Sequence, residues 1–261
     1  MEQPEGEEDG LERRGDLASA GTSAHEDEKL DLFPYGRNEV LDVLVPHVTR
    51  ERVKRLQGVI KQKCGSVHVL LENLESVNNG AAVLRSCDGM GLLNVHIVEQ
   101  YDQNRRAFSS SISKSTDKWL TLRRGDDSER ALQELKRESF YILTVFSREV
   151  GGKTVPLDAI DLPAGPGRKI CVVFGNETRG PSKVFQIGAD AMVHLPNVGF
   201  TPERDLSTTV AIALYYLRFR GQLTPDLTND DELQVLYTRW IYQSAKDADE
   251  LLKAANLEYA P

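Results

Sequence analysis

The sequence predicts an α/β protein with a mainly parallel sheet covered on both faces. Two observations carry this reading. Short apolar runs alternate with helix candidates through the middle of the chain. Two of these runs, Ile170–Phe174 and Ala191–Leu195, each lead into a loop punctuated by glycine or proline. Neighbouring strands that end in polar loops build a ligand crevice at their carboxyl ends.

The 261 residues suit one globular domain with appendages and leave ample length for a core. No run approaches 18 apolar residues, so no membrane span is expected. The N-terminus is acidic and lacks an apolar leader segment, which argues against a targeting peptide. Cys64, Cys87 and Cys171 are scattered with no C-x-x-C pair, so reduced thiols, a cytoplasmic address and no metal site are expected. The net charge of −8 is uneven. Residues 1–31 and 225–261 carry the acidic excess, leaving 21 acidic and 26 basic side chains between them. A mildly basic body between acidic ends permits a polyanionic partner, and is equally compatible with an ordinary mixed surface.

Residues 1–31 hold few large apolar side chains and are expected to be a disordered acidic tail. A basic helical extension follows over 32–64, as two short helices broken near Pro46, with Thr49 capping the second. That second helix carries Arg50, Arg52, Lys54, Arg55, Lys61 and Lys63 around a stripe of Val53, Leu56 and Ile60. It reads either as a phosphate-contacting face or as a solvated one. Val67–Leu71 then reads as a strand, Gly80–Met90 as a helix and Asn94–Val98 as a strand. Ser128 is placed as the cap of a helix reaching Glu138, and Tyr141–Phe146 as the next strand. A glycine- and proline-rich loop leads to Ile170–Phe174, Ala191–Leu195 and an apolar helix from about Leu206. The central domain is bounded at 65–222, and 223–261 reads as an amphipathic helix or pair.

Two segments could carry chemistry. Gly175-x-x-x-x-Gly180-Pro181-Ser182 comes near a nucleotide-binding loop, but Pro181 stands where a lysine is needed and Glu177 would repel phosphates. Pro181 fits better as the first residue of a helix. Asn78–Asp88 lies at a strand-to-helix junction where Asn79 can cap the helix. Arg85 lies among small and apolar neighbours and calls for a partner, either Asp88, Glu177 or a bound phosphate.

Three motifs in order, NGAAVLR (79–85), FGNETRG (174–180) and LPNVG (195–199) leading to VAIALYYLR, resemble the TrmH-like RNA ribose 2′-O-methyltransferases of the SPOUT superfamily. The segment SISKSTDKWL (111–120) is similar to the family's loop ending in Lys-Trp, which adds Lys118 to the candidate RNA contacts. The resemblance covers roughly residues 38–222 and makes 65–222 the methyltransferase domain. It implies a C-terminal trefoil knot, S-adenosyl-L-methionine as cofactor, tRNA as substrate (a D-loop guanosine) with rRNA as the alternative, and a homodimer. It also implies cofactor contacts by backbone groups of Phe146, Gly175, Leu195, Arg204 and Leu206. Arg85, Asn79 and Glu177 correspond to family site residues.

The third motif departs from the family pattern. Glu203, Arg204 and Asp205 stand where the family has Ser-Leu-Asn. Asp205 then admits three readings: a partner for Arg85, a proton acceptor, or the cap of the next helix. The altered triplet also leaves open an RNA-binding relative that does not methylate.

Overall fold

The computed structural model describes residues 30–100, 116–163, 165, 168–200 and 204–260. Residues 1–29 of the expected acidic tail, the first half of the 111–120 loop and Glu203 lie outside the described residues. The chain opens with α1 (Glu39–Leu44) and α2 (Arg50–Ile60), separated at Pro46 as expected. Thr49 caps α2, its Oγ1 accepting from the Arg52 amide at 3.2 Å. Next come β1 (Cys64–Glu72), α3 (Val77–Gly89), β2 (Leu92–Val98), β3 (Thr121–Gly125) and α4 (Ser128–Arg137). They are followed by β4 (Tyr141–Phe146), β5 (Val155–Pro156), β6 (Ile170–Phe174), α5 (Lys183–Gly188), β7 (Ala191–His194) and α6 (Leu206–Phe219). The C-terminal segment is a helix pair, α7 (Asp230–Ser244) and α8 (Ala248–Ala254).

All seven described strands pair in parallel, in the order β3-β2-β1-β6-β4-β7-β5. The strand runs are continuously apolar because both sheet faces are covered. On β6, Ile170, Val172 and Phe174 join Val83, Leu84, Val210 and Leu214 of α3 and α6 on one face. Cys171 and Val173 join Leu135 of α4 and Phe185 of α5 on the other. β6 enters the sheet between β1 and β4, after which the chain passes to the far side of β4 as β7. It then returns as α6 to pack against α3.

Several local expectations are corrected. α3 starts at Val77 because Ser76, not Asn79, is its cap, with Ser76 Oγ accepting from the Asn79 amide at 3.3 Å. Asp127, not Ser128, caps α4 by accepting from the amides of Glu129 and Arg130. Ser128 is instead buried and donates its hydroxyl hydrogen to the buried Glu72 carboxylate. Pro181 precedes α5 rather than starting it, because the Ser182 amide is drawn to Glu72 Oε2 at 2.8 Å and Ser182 takes the cap position. β3 is not among the expected strands: TLRRG is a partly exposed edge strand with little apolar content.

The two helical flanks meet. α1 and α2 pack on α7, and α1 on α8. Asn38 Nδ2 donates to Thr238 Oγ1 at 2.9 Å, and Tyr35 and Trp119 stand edge-on to Tyr237 and Trp240. The amphipathic C-terminal pair thus covers its apolar side within the same chain.

Candidate cofactor and RNA site

The carboxyl ends of β4 and β6 open into a cleft of about 190 Å³. Its apolar wall is Val145, Phe146, Phe174 and Leu206, and its polar wall includes Glu177, Arg204 and Thr209. Gly175 lets the β6 loop turn back on itself. A Cβ there would lie 2.0 Å from the Pro181 nitrogen, so only glycine allows this approach. Asn176 closes the turn through its Oδ1, which accepts from the amides of Thr178 and Arg179. On the β4 side, Thr154 Oγ1 accepts from the Val150 amide at 3.2 Å and lies 2.9 Å from His194 Nδ1 of β7. That contact ties the 147–154 loop to the sheet.

Arg204 spans the loop between β7 and α6. Its Nη2 donates to the Pro196 carbonyl at 2.7 Å, while its Nη1 is buried without a hydrogen-bond partner among the described residues. Thr209 Oγ1 is buried and unpartnered in the same way. Arg204 and Thr209 both line this half-apolar cleft, which suits a ligand with both ring surface and polar groups. The residues present therefore fit the implied cofactor. Of the five expected contacts, Phe146, Gly175, Arg204 and Leu206 line the cleft. Leu195 does not: it is buried in the core, and its amide donates to the Phe146 carbonyl at 3.3 Å.

The first and second motifs meet directly. The Glu177 carboxylate accepts from the amides of Glu75 (2.8 Å) and Ser76 (3.2 Å) and from Asn79 Nδ2 (3.1 Å). The amino end of α3, read as an anion site, is therefore occupied by this carboxylate, which complements the helix dipole. Arg85 is exposed, contrary to the buried setting expected from its neighbours. It makes no ion pair with the described residues, because Glu177 serves the α3 terminus and Asp88 pairs with Lys63. Arg85 and Asn79 are absent from the cleft lining. Asp205 stands at the cap position of α6 and is exposed, but its side chain makes no capping bond and does not meet Arg85.

The basic helix divides. Arg50, Lys54, Arg55, Lys61 and Lys118 are exposed. Lys63 is not an available RNA contact: it is 1 % exposed, with Nζ 2.6 Å from Asp88 Oδ1 and 3.1 Å from the Leu92 carbonyl. Arg52 is half-buried, lying over Trp119 and donating to Ser244 Oγ at 3.3 Å. The three cysteines are buried and free. Burial pushes the Cys87 thiol up to about 12, which disqualifies it as a nucleophile at neutral pH.

The family model for the SpoU rRNA Methylase family matches residues 66–215, more than half of the chain. The chain belongs to this family. It is similar to the tRNA (guanosine(18)-2′-O)-methyltransferase of Borreliella burgdorferi, 25% identical over 209 residues. That match covers 79% of this chain and 92% of the relative. The enzyme of the same description from Thermus thermophilus is 29% identical over 168 residues, covering 64% of this chain and 81% of the relative. In three dimensions the chain is similar to the A. aeolicus TrmH/SpoU tRNA modifying enzyme, with a TM-score of 0.63 and 22% identity over 76% of this chain and 98% of that one. The family's enzymes are RNA ribose 2′-O-methyltransferases that use S-adenosylmethionine, and the half-apolar cleft described above sits within the matched region.

Proposed function

We propose that this member of the SpoU family methylates the ribose 2′-hydroxyl of a guanosine in the D-loop of tRNA, working as a homodimer with a knotted C-terminal region and a cytoplasmic address. The observation that carries the reading is the half-apolar cleft at the ends of β4 and β6, lined by Phe146 and Phe174 together with the polar side chains of Arg204 and Thr209. The tRNA assignment is supported by the relatives, which are named tRNA (guanosine(18)-2′-O)-methyltransferases and match over most of their length. The threading of β6 between β1 and β4, followed by the return of α6 to α3, supports the knot. Ile212, Tyr215 and Phe219 form an exposed stripe on α6 (43 %, 63 % and 79 %), which supports a subunit contact there.

In this reading S-adenosylmethionine supplies an electrophilic sulfonium methyl group when bound. Phe146, Gly175 and Leu206 shape its site and Arg204 and Thr209 bond its polar groups; Leu195 acts only by holding the Phe146 carbonyl. The acceptor oxygen would form a bond to that methyl carbon as the carbon–sulfur bond breaks, leaving a neutral thioether, and the hydroxyl would lose its proton. Arginine stays protonated, so Arg85 cannot be the base. Arg85 instead holds the adjacent phosphate and stabilises the developing alkoxide, and the proton leaves through water or a phosphate oxygen. Asn79 and Glu177 lock the two motif loops together, and Asp205 lies free at the end of α6 to accept a proton relayed through water. Arg50, Lys54, Arg55, Lys61 and Lys118 contact tRNA phosphates.

Arg85→Ala tests the division of labour. Turnover on tRNA should fall at least about 100-fold, as for loss of a transition-state donor, while calorimetric S-adenosylmethionine affinity stays within about twofold of wild type, well under a tenfold step. Wild-type turnover in this variant would remove Arg85 from the chemistry.

A further inference from the structure

We infer that Phe200, with Val198 beside it, is a stacking platform for an unpaired nucleobase next to the methylated ribose. The inference rests on the proposed RNA ribose methylation. Val198 and Phe200 are 104 % and 108 % exposed, as open as side chains can be, on either side of Gly199. The segment holding them is not a loose tail. Asn197 Oδ1 accepts from the Gly199 amide at 3.1 Å, and Arg204 closes the base of the loop by donating to the Pro196 carbonyl. An aromatic ring is thereby presented to solvent from a braced turn, where burial elsewhere would have been favourable.

The position of this turn selects the partner. Arg204 both braces the loop and lines the cleft, so the turn that carries the exposed ring adjoins the cleft, with Phe200 itself outside its lining. Arg148, Arg179 and Arg204 outnumber Glu177 in that lining, which gives it a net positive charge suited to a polyanion. A ribose hydroxyl can reach such a recessed site only if its nucleotide leaves the stack, and its neighbours then lose a stacking partner. An exposed phenyl ring replaces that partner without demanding a particular base, because every base has a π-face.

The test uses the full chain, fluorescently labelled bulk tRNA and tritiated S-adenosylmethionine. Binding and turnover are measured for wild type, Phe200→Ala and Phe200→Trp, with subunit mass measured by light scattering. Phe200→Ala should weaken tRNA binding and raise the tRNA KM about tenfold, the usual effect of losing one stacked base, with kcat changed far less. Phe200→Trp should restore both, and subunit mass should not change. Wild-type binding and KM in Phe200→Ala, alongside an active wild type, would overturn the platform and leave the methylation reading standing. A drop in subunit mass in Phe200→Ala would overturn it in favour of a subunit contact. A wild type that neither binds nor methylates tRNA would overturn both readings.

Discussion

Lys63 and Lys54 belong to one basic stretch of sequence, yet the structure gives them opposite jobs. Lys54 and Arg55 face solvent on α2, while Lys63 is buried against Asp88 and lies 5.7 Å from the Trp240 ring centroid. Nothing in the linear pattern separates them, because the partners of Lys63 come from α3, β2 and α7. Removing its charge strands Asp88 and the Leu92 carbonyl, so Lys63→Met should lower stability by about 3 kcal/mol in urea unfolding and leave the salt dependence of tRNA binding unchanged. Lys54→Ala/Arg55→Ala should do the reverse, with near-wild-type stability and a log–log salt slope reduced by about 2, near one per lost phosphate contact. Equal salt slopes in the two variants would show that the exposed face of α2 does not contact the backbone. The exposure of Arg85 is hidden in the sequence for a related reason. Its neighbours are small and apolar, but they turn inward on α3 while Arg85 turns outward.

At the scale of elements, the strands are legible wherever both faces are buried. Tyr141–Phe146 and Ile170–Phe174 have the bounds their apolar runs suggest. β3 is not legible, because an edge strand with two arginines has little burial to record. The first strand runs three residues earlier than its apolar run, back to Cys64, and within that run His68 is one half of a buried histidine pair. His68 Nε2 lies 3.0 Å from the Gly65 carbonyl, so it donates there. Both rings are neutral at neutral pH because burial holds their pKa values low, so His68 Nδ1, 2.8 Å from His96 Nε2, accepts there. Burial first, then the neighbouring charges, lowers His68 to about 3 and His96 to about 4. Both values lie below the 6.5 of an unfolded histidine, so the native state binds fewer protons than the unfolded one. The stabilisation is complete above that value and is lost as pH falls through it toward about 4. The urea midpoint should therefore drop between pH 7 and pH 4.5, and His96→Gln, which keeps a donor without a titrating ring, should flatten the decline. An unchanged slope in that variant would assign the acid sensitivity to other groups.

For the molecule as a whole, the flanking helices are parts of one compact unit with the sheet, which spans Leu32–Pro261. Reading the chain in order treats its two ends as separate extensions, since neither carries the other's partner residues in sequence. The joint shows only in space, where Tyr237 Oη donates to the Leu32 carbonyl at 2.8 Å and Trp240 is 1 % exposed. Trp240→Ala should cost about 3–5 kcal/mol, the range for deleting a buried tryptophan, and should loosen α2 together with α7 in hydrogen exchange. Protection lost in α7 alone would contradict the shared packing. The site divides in the same way. The loops after β4 and β6 can be placed from sequence because glycine and proline mark them, whereas the bracing of Arg204 on Pro196 depends on a fold in which β7 and α6 bracket one loop.

The central claim is that the cleft between these loops serves methyl transfer to RNA. The most direct measurement incubates the purified chain with tritiated S-adenosylmethionine and bulk tRNA, followed by nuclease digestion and separation of nucleosides. Tritium should appear in 2′-O-methylguanosine, and Arg85→Ala should abolish it. Calorimetric binding of S-adenosylmethionine without transfer to any RNA, or no binding at all, would contradict it.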